Sequence, residues 1–111
     1  MIEKIVLDYL LEESGVPTFM EAPPNPPEEY IIIEKMGGSV VDHIKRAVIS
    51  VQSYAESLYK AAELNEKVKE LLEGMINLDD VIKVELNSDY NYTIASQKQY
   101  RYQAVFDVFY Y

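Results

Sequence analysis

Ile2, Ile5, Val6, Tyr9 and Leu10 recur at the spacing of one helix face, with Glu3, Lys4, Asp8 and Glu12 on the other. The pattern predicts an amphipathic helix that ends near Gly15, a C-cap glycine followed by Pro17. Thr18 to Glu21 reads as a short strand. It cannot continue through Ala22-Pro23-Pro24-Asn25-Pro26-Pro27, because proline withholds backbone donors, so the chain runs there as a stiff, polyproline-like connection. Tyr30-Ile31-Ile32-Ile33 is apolar without alternation, as suits a strand covered on both faces or placed at a subunit edge. Gly37-Gly38-Ser39 breaks that run. From Ile44 to Tyr54 the chain puts Ala47, Ile49 and Val51 on one face and Arg46, Ser50 and Gln52 on the other. These two runs predict an antiparallel hairpin with a long connecting loop from Met36 to Ile44.

The period becomes helical again from about Glu56 to Met75, where Leu58, Ala61, Leu64, Val68, Leu71 and Met75 form a stripe. Glu56/Lys60 and Glu63/Lys67 are placed to pair on its outside, and Gly74 or Asn77 ends it. Ile82, Val84 and Leu86 then alternate with Lys83 and Glu85; Tyr100, Tyr102, Ala104, Phe106 and Val108 alternate with Arg101, Gln103 and Asp107. The turn-rich stretch Asn87-Ser88-Asp89-Tyr90-Asn91 is expected to join these last strands. The order α-β-β-β-α-β-β, with strands apolar on one face only, predicts a two-layer α+β domain. It comprises one mixed or antiparallel sheet of about five strands with two helices on one face. Its polar face is left for solvent or a neighbouring subunit.

The 111 residues fit a single domain, 1–111, and 49% hydrophobic residues are ample for a core. The absence of cysteine removes disulfides and thiolate chemistry and fits a reducing cytoplasm. Acid within the first turn argues against a signal or transit peptide, and no apolar run is long enough for a membrane span. Nineteen acids against ten bases give a formal charge of −9, which disfavours specific binding of nucleic acid. The same charge lets DNA slide past without sticking. Ten tyrosines and no tryptophan suit either strands or surfaces partly buried against a partner.

Candidate chemistry is sparse. His43, the sole histidine, follows Asp42 and lies near Ser39, but a relay needs a strained nucleophile turn and oxyanion donors, and a hairpin loop offers neither. Glu28-Glu29 and Asp79-Asp80 read as solvated acids, and Gly37-Gly38 lacks the Lys-Ser/Thr of a phosphate loop. Two overlapping PxxP patterns in Pro23–Pro27 read as a rigid connection rather than an SH3 ligand. Tyr100-Arg101-Tyr102 is too isolated among acids to make a single-strand platform. No catalytic, cofactor-binding or metal-binding residue is assigned, and no enzymatic activity is expected.

Several segments together carry a resemblance: Met20-Glu21 through the prolines to Tyr30-Ile31-Ile32-Ile33-Glu34-Lys35-Met36-Gly37, then Gln52-Ser53-Tyr54, Ser57-Leu58-Tyr59 and Ala61-Ala62-Glu63-Leu64-Asn65, and finally Leu86 to Asn91 and Lys98 to Phe106. Through them the chain resembles small proteins of the tail-gene clusters of phages of Gram-positive bacteria, of the tail-terminator or tail-completion type, also described as neck or minor capsid proteins. The resemblance implies a curved sheet with two helices on one face, and a hexameric ring at the head-proximal end of the tail tube. That ring stops tube polymerisation and meets the head connector while DNA crosses its lumen. Partners would be the tube protein, the connector and further copies of the chain. The protein would be assembled in the bacterial host cytoplasm and retained in the virion.

A ring needs one patch to meet a different patch on the next subunit. Met36, Val40 and Val41, with His43 in the same loop, are the first expected contact, because a monomer has little reason to display them. Phe109-Tyr110-Tyr111 is the second, with an edge strand continuing the sheet as the plainer alternative. The competing function is an adaptor or assembly chaperone that binds a tail or head protein and does not stay in the particle.

Overall fold

A computed structural model describes residues 1–111. The first helix, α1 (Ile2–Ser14), buries Ile2, Val6 and Leu10 and stops where Gly15 turns left-handed at φ 69°. The Lys67 ammonium donates to the Ser14 carbonyl at 2.9 Å, so a cation from a distant helix satisfies an orphan carbonyl at this end. Then come β1 (Thr18–Phe19), β2 (Tyr30–Val41) and β3 (Ile44–Ala55). The second helix, α2 (Leu58–Glu73), starts at Ser57, whose hydroxyl accepts from the Lys60 N–H at 3.1 Å. A 3₁₀ turn, Gly74–Asn77, drops Met75 into the core before β4 (Val81–Asn91) and β5 (Tyr100–Tyr110).

The sheet order is β1-β2-β3-β5-β4. Only β1 and β2 run parallel; every other neighbour is antiparallel. Both helices pack on one face, against Ile31 and Ile33 of β2, Ala47, Ile49 and Val51 of β3, and Ala104, Phe106 and Val108 of β5. Each large side chain fully buried there contributes about 1.5–3 kcal/mol. The architecture is therefore the expected two-layer α+β fold with helices on one face. Tyr30 to Ile33 is covered on both sides: Ile31 and Ile33 face the helices, while Tyr30 and Ile32 sit under Tyr54 and Phe19. No helix is long and apolar enough to cross a membrane.

Five details differ from the sequence reading. The Met36–Ile44 segment is not a long loop: β2 and β3 stay paired as far as Val41 and Ile44, leaving only Asp42 and His43 as the turn. The glycines lie within β2 beyond a bulge between Lys35 and Gly37, and a Cβ on Gly38 would stand 3.2 Å from the Arg46 carbonyl oxygen. Asn87 to Asn91 continues β4, and the connection to β5 runs instead through Tyr92–Gln99. In β4 the bulge between Val81 and Lys83 turns Ile82 outward while Val81 is buried; Val84 and Leu86 keep the helix-bearing face opposite Val108 and Phe106, where Val84 packs against the core and Leu86 stays exposed on this edge strand. On α2, Leu72 rather than Leu71 is fully buried and Leu58 is exposed; Lys67 bonds Ser14, whereas Glu56 and Lys60 do pair as read.

Candidate protein interface

The β2–β3 hairpin closes through two residues at positive φ, Asp42 at 50° and His43 at 68°, the region that a two-residue hairpin turn matching strand twist requires. Neither residue is glycine, so each stores some backbone strain. Val40 lies on the helix-bearing face of the sheet and Val41 on the opposite one, yet both are exposed, at 65% and 68%. The helix layer stops short of this end. His43 is exposed in the turn and hydrogen-bonds neither Asp42 nor Ser39. Met36 is exposed at the bulge, set back from the turn.

Register unites the two stretches that the sequence offered separately. Lys45 pairs with Tyr110 and Arg46 with Phe109, which places the end of β5 beside the hairpin tip. Val40, Lys45 and Tyr110 border one recess, together with Lys35 and Gly38; Val41, Ile44 and Phe109 border another on the opposite face. Phe109 and Tyr110 are half-buried residues of β5, so the strand of the alternative reading is the one found, but it lies inside the sheet and not at its edge. Tyr111 lies beyond the strand, exposed, with its N–H donating to the Asp80 carbonyl at 3.1 Å. Arg46 is paired with Asp107 at 2.9 Å, but Lys35 and Lys45 have no carboxylate partner; the Lys45 ammonium stands 5.8 Å from the Tyr110 ring. This end is apolar, and its two free lysines outnumber the one free carboxylate, Asp42.

The helix-free face is closed on itself, which the sequence did not reveal. Tyr30 and Tyr54 stack at 4.4 Å, and Phe19 meets Tyr30 edge-on at 6.4 Å. The Tyr54 hydroxyl donates to Gln52 Oε1 at 2.9 Å and accepts from Arg101 Nη1 at 2.7 Å; the Arg101 guanidinium covers the Tyr92 ring at 4.3 Å. Gln52 Nε2 donates to Gln103 Oε1 at 2.9 Å, and Gln103 in turn reaches the Tyr90 hydroxyl. Burial first, then neighbouring Tyr54, raises the Tyr30 pKa against the opposing pull of Arg101. The amides and phenols are spent on each other, so the face is a rigid plate with few free groups. Alternating polar residues on β3 and β5 were legible; their mutual pairing depends on register and was not.

A second exposed apolar feature lies at the opposite end of the sheet. Tyr59 and Ala62 of α2, with Tyr102 of β5, form a groove bordered by Glu63 and Glu66, and Tyr59 is 76% exposed. Glu66 is held by Lys69 at 2.7 Å, while Glu63 has no ion-pair partner. The Lys60 pKa is raised first by the hydrogen bond its ammonium donates to Glu56 and by that carboxylate's charge, and further by the nearby charges of Glu28 and Glu29. No group of three or more His, Cys, Asp or Glu side chains converges to hold a metal ion. Compared with models of known protein families and with the curated proteins, the chain matches none.

Proposed function

We propose that this chain is a structural subunit of a tailed bacteriophage, a tail terminator that assembles into a ring on the head-proximal end of the tail tube and joins it to the head connector. The observation that supports it is the overhanging hairpin. Val40, Val41 and Ile44 are displayed beyond the helix layer, beside Phe109 and Tyr110, at an end with free lysines. An apolar end held on a rigid sheet suits a permanent protein contact. The acidic balance, −9, would keep DNA from adhering as it crosses the ring.

Deletion of the gene from a phage that encodes it tests the reading. Electron microscopy of the lysate should show overlong tails or tails without heads, and complementation in trans should restore normal particles. Infectious particles of normal tail length would eliminate it. Loss of assembly together with absence of the protein from purified virions would favour the adaptor or chaperone instead.

A further inference from the structure

We infer that copies of this chain associate head to tail, the hairpin tip of one copy seating in the Tyr59/Tyr102 groove of the next. The inference rests on the ring reading above and names its contact. Both surfaces lie on the helix-bearing side of the sheet, because Val40, Tyr110 and Tyr102 all face that way. They occupy opposite ends: Tyr102 pairs with Ser53, eight residues along β3 from Lys45, or about 26 Å away. Two patches so far apart on a molecule 45 Å long meet either reciprocally, in one antiparallel two-fold pair, or singly, in a repeating head-to-tail series, and the ring reading requires the second. In that series each copy keeps one tip and one groove free, so the association repeats.

Charge selects this pairing. On a chain of net charge −9, most surfaces repel a second copy, whereas the tip carries two lysines without carboxylate partners, Lys35 and Lys45, against one free carboxylate, Asp42 in the turn. The groove presents Glu63, also without a partner, beside the paired Glu66. Apolar area is matched likewise: Val40 and Tyr110 on one side, Tyr59 and Ala62 on the other. A tip-to-tip contact would oppose lysine to lysine, and a groove-to-groove contact glutamate to glutamate. Tip against groove is the arrangement in which both charge and apolar surface find complements.

The natural absence of cysteine makes the test direct. Val40→Cys and Ala62→Cys proteins, each checked by circular dichroism, are mixed and treated with a short thiol-to-thiol cross-linker. The expected product is the mixed Val40→Cys/Ala62→Cys species, in excess over either self-linked species. Lys45→Glu should weaken association by about tenfold, as should Glu63→Lys, and the two variants mixed should recover it. Dominant Val40→Cys self-linking, or assembly indifferent to both charge reversals, would overturn the contact while leaving the terminator reading in place. Light scattering that stops at a dimer overturns the head-to-tail series, a protein that stays monomeric to millimolar concentration overturns the contact itself, and the terminator reading then stands or falls by the deletion phenotype alone.

Discussion

Asp42 and His43 hold a backbone region that costs an L-residue about 1–2 kcal/mol, and Asp tolerates it better than His. His43→Gly should therefore raise stability by about 1 kcal/mol, read as a higher urea midpoint at unchanged m-value. An unchanged or lower midpoint would show that the His43 side chain makes a compensating interaction. Gly74 is small for a different reason: its φ of −72° suits any residue, but an added Cβ would stand 2.8 Å from the Tyr9 hydroxyl. That hydroxyl donates to the Leu71 carbonyl at 2.6 Å and ties α1 to the end of α2. Its pKa is raised above 10.0 by burial first and Glu13 second; Tyr30 is likewise raised, and Lys69 is raised by its hydrogen bonds to Glu66 and Asp89. Groups with raised folded-state values stabilise the fold below their unfolded pKa and lose that contribution as pH climbs through the folded value. Stability should thus fall above about pH 10, and Tyr9→Phe should make the fall shallower, at a cost of about 1 kcal/mol at neutral pH. A Tyr9→Phe profile parallel to the wild type would refute this.

At the level of elements, α2 shows what a helical period can and cannot specify. Ala61, Leu64, Val68 and Met75 were legible as its buried stripe, but Leu71 and Leu72 are adjacent, and a one-residue choice between them depends on how the helix rolls against β3 and β5. Leu72→Ala should cost about 2–5 kcal/mol and Leu71→Ala distinctly less, by chemical denaturation. Equal costs would mean that the partly covered Leu71 is packed as tightly as its neighbour. In β4 the alternation Ile82, Val84, Leu86 was read as a core face, and Val84 and Leu86 do lie on it, opposite Val108 and Phe106; a bulge between Val81 and Lys83 turns Ile82 out, with no mark in composition. Gly37 and Gly38 misled in the opposite sense, since glycine that signals a turn also permits the close approach of Arg46. Element order and the helix-covered face were readable from period alone. The hairpin's true length, and hence the distance by which its apolar tip overhangs, was not.

For the whole molecule, the sequence named both halves of the tip without indicating that they meet, because the pairing of Lys45 with Tyr110 spans most of the chain. The acidic groove at the other end was missed, since Tyr59 and Tyr102 look like ordinary helix and strand residues until the fold brings them together. Replacing Val40 and Val41 together by aspartate should leave the unfolding midpoint within about 0.5 kcal/mol of wild type, yet abolish association in light scattering. A large loss of stability would place those valines in the core instead. The overhang also has a mechanical meaning. Its inner strand, β3, is the middle strand of five and is bonded along its length to β2 and β5. A load applied at the tip is therefore borne in shear by the centre of the sheet rather than peeled from an edge. The hairpin behaves as a cantilever with its root beneath α2, and whatever grips its end grips the body of the protein with little slack.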